Sequence, residues 1–286
     1  MKNNISKAKN ISINSDEYPE SLKNIFDPPK DLNALGDIDK FASSPKVAIV
    51  GTRRPTRYGL EVAETLARDL SNMGVMIVSG LALGIDSAAH RGALDGQTPT
   101  WAVLGSGLFN IQPTINRPLA EKIVAGGGAI ISEFEDTYPA DKWTFPQRNR
   151  IVAGLTQATI VVEASERSGA LITADLAMQY GRDVGAVPGE TTSLNSRGTN
   201  NLIKNGAALI RSAEDVLELI GLEQKKLKLD NFDELENNIL RLLESPLCAD
   251  DISASLSQNI LAVNQKLSIL ELKGAIKNRA GLFHKL

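Results

Sequence analysis

Several residue types are scarce in this sequence, and each scarcity excludes a class of protein. The single cysteine, Cys248, excludes a disulfide within the chain. One cysteine and two histidines also leave too few ligands for a typical zinc site. No apolar run approaches the roughly 18 residues that a membrane-spanning helix needs, and the first residues lack the apolar segment of a secretory signal. We therefore expect a cytoplasmic protein that makes no membrane contact and holds no metal.

Net charge is also low, which constrains the kind of partner. The 286 residues carry a formal charge of −3, with 42% hydrophobic and 23% charged residues, as in ordinary globular proteins. A polyanion could therefore be bound only where positive side chains cluster locally. The length exceeds that of one typical domain, so two or three domains are expected.

Two strand–turn–helix patterns stand near the start of the main apolar region. Residues 47–50 (VAIV) are an unbroken apolar run, as expected of a parallel strand buried on both faces. The run ends at Gly51, and a helical pattern begins near Pro55. Residues 75–79 end in the same way at Gly80, with a helical pattern from about Asp86. Because carboxyl ends of parallel strands share one crevice and helix N-termini attract anions, this repeat predicts a site for a phosphate-bearing ligand.

The same alternation continues along the chain to about residue 210. Further strands are predicted at residues 101–104, 128–132, 159–163, 184–187 and 207–210, and helices at 115–125, 147–155, 171–180 and 200–204. This alternation predicts an α/β domain at residues 46–221, with a Rossmann-like, doubly wound and mostly parallel sheet. The turn-rich residues 1–45 are expected to be an irregular extension that packs on this domain.

The pattern changes beyond residue 221. Residues 222–230 are charged and predict a linker. Residues 231–286 contain three helical patterns, at 234–243, 249–256 and 260–272, and then a hairpin-like tail. This is the order of elements in a small winged-helix domain. Its slight excess of acidic residues favours contact with a protein, or weak contact with nucleic acid, over sequence-specific reading of duplex DNA.

The glycine turns do not match the usual nucleotide-binding motifs. No G-x-G-x-x-G follows a strand, and there is no G-x-x-x-x-G-K-[ST] loop. The requirements of a tight turn would explain Gly51, but not the arginines that follow it. Residues 143–150 (WTFPQRNR) combine aromatic, amide and guanidinium groups, the components of a groove for single-stranded nucleic acid. Alternatively, the aromatic residues are core anchors and the arginines pair with Glu133, Glu135 or Glu163.

Two further polar loops follow predicted strands. Residues 163–173 (EASERSGALIT) and 188–200 supply small and hydroxyl side chains at the starts of helices. His90, among apolar residues of a predicted helix, is expected to be a structural, hydrogen-bonded histidine. The sequence contains no set of a nucleophile, a base and a residue that orients the base. The glycine-containing and polar loops that could bind anions therefore predict binding rather than catalysis.

Taken together, these stretches resemble the DNA-processing protein A family (DprA, also called Smf). The matching segments include AIVGTRRPTRYG, SGLALGIDSAAHRGAL, FPQRNRIVAGL, VVEASERSGALITADLAMQYGRDVGAVPG and SRGTNNLIKNGA, in the same order. The resemblance implies a Rossmann-like domain that binds single-stranded DNA as a homodimer and helps to load the RecA recombinase. It also implies protection and processing of DNA taken up in natural transformation, with no catalytic activity and no cofactor.

The charge clusters and the motif matches together give the candidate DNA-binding residues. They are Gly51, Thr52, Arg53, Arg54, Arg57, Phe145, Arg148, Asn149, Arg150, Ser168, Gly169, Arg197, Gly198, Asn200 and Lys204.

Two departures from the family pattern accompany these candidates. Many members have Tyr-Pro after the third strand, where this chain has Gln112-Pro113. We also expect the N-terminal helical domain of longer members to be absent or reduced.

Two other functions would fit parts of this sequence. One is a nucleotide-processing hydrolase related to the cytokinin-activating phosphoribohydrolases, which carry P-G-G-x-G-T-x-x-E after a strand. This chain has Pro188-Gly189-Glu190, without the second glycine or the G-T-x-x-E that should follow. The other is a transcriptional regulator with a nucleotide-sensing main domain, against which the acidic tail argues.

Overall fold

The computed structural model describes residues 8–38, 43–222, 232–243, 245–272, 275–279 and 281–285. The chain forms two compact units, residues 1–223 and 224–286. Apart from Leu222, the predicted linker at 222–230 lies outside the described residues.

The first unit contains one nine-stranded sheet. Its strands are β1 (Lys9–Ser12), β2 (Asp31–Gly36), β3 (Lys46–Val50), β4 (Met76–Ser79), β5 (Thr100–Val103), β6 (Ala129–Ser132), β7 (Ala158–Val161), β8 (Asp183–Ala186) and β9 (Ala208–Leu209). Their order is β1-β2-β6-β5-β4-β3-β7-β8-β9, and β3 to β9 pair in parallel. The order reverses between β3 and β7, the position where open α/β sheets form ligand crevices.

Helices cover both faces of this sheet. They are α1 (Glu20–Lys23), α2 (Arg57–Asn72), α3 (Ile85–Leu94), α4 (Arg117–Ala125), α5 (Thr144–Leu155), α6 (Gly169–Gln179), α7 (Arg197–Lys204) and α8 (Ala213–Leu219). Ala48 and Val50 pack with residues of α5 and α6, whereas Val47 and Ile49 pack with residues of α2 and α3. Successive residues of β3 therefore enter different cores, which explains its unbroken apolar run. The predicted doubly wound fold is confirmed.

The N-terminal segment differs from the irregular extension expected of it. Strands β1 and β2 form an antiparallel pair, and β2 also pairs with β6, so both belong to the main sheet. Leu22 and Leu32 are buried, in line with a segment that packs on the domain, but Phe26 is 84% exposed. The two strands are short and half polar, so their apolar pattern is weak.

The second unit has the predicted order of elements. Helices α9 (Glu234–Leu242), α10 (Ala249–Leu256) and α11 (Ile260–Leu272) precede a hairpin of β10 (Ile276–Arg279) and β11 (Leu282–Lys285). Ile239, Ile252, Val263 and Phe283 share its apolar core. An Asp233–Glu236 capping box begins α9.

Within the described residues, no helix is both long and apolar enough to cross a membrane.

Candidate nucleic-acid interface

A cleft of about 430 Å³ opens at the reversal point of the sheet. It lies at the carboxyl ends of β3 and β7, between the loop after β3 and the starts of α5 and α6. Eight of the predicted site residues line it: Gly51, Thr52, Arg53, Phe145, Arg148, Asn149, Ser168 and Gly169. The structure thus brings together residues from three separate predicted stretches.

Two charged lining residues were missed by the sequence reasoning. Lys142 is exposed and directly precedes the aromatic stretch, so its neighbourhood could have identified it. Asp86 is buried at the start of α3, and its sequence position alone did not distinguish it from a helix-capping acid.

Arg53 and Phe145 form the most distinctive contact in the cleft. The guanidinium carbon of Arg53 lies 4.8 Å from the centre of the Phe145 ring. Arg53 is exposed and Phe145 partly so. A cation held over an aromatic face is attracted by the ring, which keeps the guanidinium in place without neutralising it. The pair presents both a positive charge and a stacking face to a ligand.

Glu163 holds the loop that carries Arg53. Its backbone oxygen accepts a 2.7 Å hydrogen bond from the Thr52 N–H. Its carboxylate accepts one from the Thr56 N–H at 2.9 Å and one from the Thr56 hydroxyl at 2.5 Å. Gly59 makes room, because a Cβ there would overlap the carboxylate. A buried acid therefore bonds the first residue of the α2 cap, so a phosphate at this turn would be bound through side chains such as Arg53 rather than through that N–H group.

Arg148 lines the cleft but is only 4% exposed. Its guanidinium donates hydrogen bonds to the backbone oxygens of Gly80 and Val103, and its Nε donates to Asn149 at 3.2 Å. Burial lowers the Arg148 pKa to about 10, while the Asp86 carboxylate opposes that shift. Arg148 therefore remains a cation but is committed to holding two strand ends, unlike the open phosphate ligand that the sequence suggested.

Arg150 points away from the cleft. It is buried and forms an ion pair with Glu133, with Asp27 3.6 Å from its Nε. Pairing of these arginines with Glu133 was the alternative to DNA contact in the sequence analysis. The same alternative failed for Trp143, which is 49% exposed rather than a core anchor and lies edge-on to Phe134 at 5.9 Å.

The start of α6 is open toward the cleft. The Ser168 hydroxyl accepts a 3.3 Å hydrogen bond from the Ala170 N–H and caps the helix. Asn149 donates to the Gly169 oxygen at 3.4 Å, which ties α5 to this turn. No atom lies within 4 Å of where a Cβ on Gly169 would be, so a ligand can approach the backbone here.

The polar loop at residues 188–200, which follows β8, holds the loop after β3 in place. Asn195 donates to the Arg54 backbone oxygen at 3.0 Å. The Asn200 side chain bonds both the N–H and the oxygen of Gly189, at 3.2 and 3.0 Å, and Gly198 donates to Ala164. These contacts fix loop geometry beside the cleft.

Seven predicted residues are not among the described residues that line the cleft: Arg54, Arg57, Arg150, Arg197, Gly198, Asn200 and Lys204. Arg57 is 92% exposed and pairs with Glu61 at 2.7 Å. Arg197 and Lys204 are exposed on α7. Contact of these seven with DNA remains a prediction.

His90 is fully buried, and its Nδ1 lies 2.8 Å from the Thr100 hydroxyl. Burial lowers its pKa to about 3, with the Arg148 charge acting in the same direction. Such a histidine has a structural role. Across the described segments, no group of three or more His, Cys, Asp or Glu residues is placed to hold a metal ion.

Comparison with known proteins agrees with the resemblance in the motifs. The family model for DNA recombination-mediator protein A matches residues 9–221. The chain is 42% identical to DNA processing protein DprA of Bacillus subtilis over 208 residues, which cover 73% of this chain and 70% of that protein. It is 43% identical to DNA processing protein DprA of Streptococcus pneumoniae, covering 74% of each. Protein Smf of Escherichia coli is 40% identical, over 73% of this chain and 55% of its own length.

Solved structures show the same likeness. The X-ray structure of DNA processing protein A from Streptococcus pneumoniae superposes with a TM-score of 0.70 at 42% identity, covering 75% of each chain. DNA processing protein A from Helicobacter pylori, studied for its single-stranded DNA binding mode, gives a TM-score of 0.66 at 34% identity. That match covers 75% of this chain and 96% of the other.

Proposed function

Because the chain belongs to the DNA recombination-mediator protein A family, we propose that it binds single-stranded DNA in the cleft and loads a RecA-type recombinase onto it. In this role it protects and processes DNA in natural transformation and recombination. It acts in the cytoplasm as a homodimer and as a binding protein, not as a catalyst. The Helicobacter pylori relative, described by its single-stranded DNA binding mode, supports the choice of ligand.

One observation carries the proposal: the Arg53–Phe145 pair at the cleft. Binding of a single strand without sequence preference needs positive charge along the phosphates and flat faces for unpaired bases. Arg53 and Lys142 supply the charge, and Phe145 supplies the face. The open start of α6 adds a favourable helix dipole for one more phosphate.

The hydrolase alternative is not favoured by the site. Glu190, the acid that follows Pro188-Gly189, is exposed and is not among the described residues that line the cleft. The acid that does line it, Asp86, is buried and receives hydrogen bonds from the N–H groups of Gly80 and Ala82. Burial raises the pKa of Asp86, and Arg148 opposes that shift. Asp86 is thereby tied to its own loop.

Fluorescence anisotropy with labelled oligothymidylate and a duplex of equal length tests the proposal. We expect the wild type to prefer the single strand. Phe145→Ala should weaken binding by about 1–3 kcal/mol, the contribution of one stacked base. Arg53→Ala should weaken it and make the slope of log affinity against log salt less negative by about 0.7, because one phosphate contact is lost.

Arg68→Ala is the matched control, since Arg68 is exposed on α2 and does not line the cleft. Equal losses in Arg53→Ala and Arg68→Ala would contradict the assignment of the site. A companion assay measures recombinase filament formation on the single strand with and without the protein. No acceleration by the wild type would remove the loading role while leaving DNA binding intact.

A further inference from the structure

A second and larger cavity lies beside the cleft. We call it the outer groove; it measures about 770 Å³ and is lined by Arg53, Leu83, Arg91, Ile115 and Lys122, among others. It runs between the loop after β3, helix α3 and the start of α4. Its volume falls in the range of about 300–1,000 Å³ that is typical of ligand sites.

The outer groove and the cleft are joined through shared residues. Arg53 lines both of them and also a smaller cavity of about 170 Å³. That smaller cavity shares Phe145 with the cleft and Leu83 with the outer groove. Gln112 also lines it. A chain molecule bound over Arg53 and Phe145 would therefore pass directly from the cleft into the outer groove.

The chemistry of the outer groove suits an unpaired strand. Among the described residues that line it, three are cationic, Arg53, Arg91 and Lys122, and one is acidic, Asp95. Its apolar side chains are open to solvent, with Leu83 43% and Ile115 73% exposed. Exposed aliphatic faces beside cations can cover bases while the phosphates remain in water. A duplex, whose bases are stacked and paired, would leave those faces uncovered.

The walls of the outer groove are fixed by hydrogen bonds. Asn116 is buried and donates to the Leu81 oxygen at 2.8 Å and to the Ser87 hydroxyl at 2.9 Å. Arg91 on α3 pairs with Glu64 on α2 at 2.7 Å, which ties the two helices together and holds the guanidinium in place. A preformed groove binds its ligand without first having to become ordered.

We propose that the outer groove holds further nucleotides of the same single strand that occupies the cleft. The inference rests on the proposed function and extends it, since it assigns a second segment of the DNA path. The affinity of the protein should therefore rise as an oligonucleotide becomes long enough to reach past Arg53.

Binding of two oligothymidylates, of about 6 and about 16 nucleotides, tests this path within the usual range of site sizes. Lys122→Glu and Ile115→Ser alter the outer groove and leave the cleft unchanged. For each variant we expect about fivefold weaker binding of the longer strand and the same affinity as wild type for the shorter one. Ile115→Ser removes an apolar contact to a base, at the lower end of the contribution of one stacked base, and Lys122→Glu places a negative charge beside a phosphate. Lys122→Glu should also make the salt slope for the longer strand less negative by about 0.7.

Lys30→Glu is the matched control, because Lys30 is exposed and lines neither the cleft nor the outer groove. Unchanged binding of the longer strand, or equal losses for both strands, would overturn the outer groove while the proposed function stood. Failure of the wild type to bind either strand would overturn the proposed function itself. A shift of Ile115→Ser to a smaller species in sedimentation would assign the groove to self-association and would also overturn the inference.

Discussion

The starts of α2 and α6 occupy equivalent places in the fold but are used differently. Each follows a strand on one side of the reversal point, and each is preceded by small or hydroxyl residues that predict an anion site. At α2 the buried carboxylate of Glu163 accepts hydrogen bonds from the N–H group and the hydroxyl of Thr56. At α6 the Ser168 hydroxyl caps the helix and the space beyond Gly169 is open.

The difference shows that a helix start at the right sheet edge is not sufficient for a phosphate site. An acid from a distant part of the sequence can occupy it first. An acid close in sequence can do so too: Asp86 accepts hydrogen bonds from the N–H groups of Gly80 and Ala82 in the turn after β4. In the proposed complex, the side chains of the loop after β3 face the DNA, and the space beside Gly169 lets the strand approach the start of α6.

The largest effect is expected on stability, when Asp86 in the turn after β4 loses the nearby positive charge of Arg148. Arg148→Ala removes the positive charge that stabilises the ionised form of buried Asp86, and also the donor to the oxygens of Gly80 and Val103. Leaving a buried charge unpaired typically costs about 3–5 kcal/mol. The free energy of unfolding in urea should fall by that amount.

Two controls make that measurement specific. Arg68→Ala should change stability by less than about 0.5 kcal/mol, since it alters an exposed side chain. In the double variant Asp86→Asn, Arg148→Met, the buried charge is gone, so the part of the loss that comes from Asp86 should be recovered, while the part that comes from the Gly80 and Val103 oxygens remains. A small effect of Arg148→Ala alone would mean that the turn after β4 does not depend on this pair.

A smaller effect is expected when the acid at the start of α2 is changed. Glu163→Gln keeps one acceptor oxygen but replaces the other with an amide that cannot accept from Thr56. An unmet buried hydrogen bond costs about 1–3 kcal/mol of unfolding free energy. Because Glu163 makes no phosphate contact in the proposed complex, the salt slope of DNA binding should not change.

Glu166→Gln, at an exposed position three residues further on, is the control. Tighter DNA binding by Glu163→Gln together with a more negative salt slope would break the comparison. It would show that α2 becomes a phosphate site once the acid is neutral.

The smallest effect is expected when a carboxylate is placed at the start of α6, as Glu163 already is at the start of α2. Ser168→Asp keeps a good helix cap, so stability should stay within about 0.5 kcal/mol of wild type. The added carboxylate would repel a phosphate at the open start and should weaken DNA binding about tenfold, or 1.4 kcal/mol. Ser168→Asn, which caps without charge, should bind nearly as the wild type does. Equal binding by both variants would mean that the strand does not approach α6.

Much of the fold was predictable because its central strands are buried on both faces. Runs such as VAIV at residues 47–50 leave few alternatives to a parallel strand. Strands β1 and β2 were missed because polar and apolar residues mix in KNIS and DLNALG. Helix α8 was missed as well, since it follows the last strand of the domain and no further strand marks its end.

The site was predictable as a set of loops but not as a set of contacts. The sequence identifies the arginines near Phe145, but it does not show which of them face solvent. Arg148 is buried because it bonds backbone oxygens 68 and 45 residues away, and Arg150 because Glu133 lies beside it. Arg53 stays exposed because its partner is an aromatic ring. These partners are set by the sheet order, which a single sequence does not reveal.

The pairing of β2 with β6 has a consequence for synthesis on the ribosome. Asn33 donates a hydrogen bond to the Phe134 oxygen, 101 residues later in the chain. At about 5–20 residues per second, the partner strand follows roughly 5–20 s after β2 has been made. During that interval β2 can pair with β1 alone, because β6, its other neighbour in the sheet, has not yet been made. Strand β2 is thus made before β3, β4 and β5 but takes its place beside β6 only after all three have been made.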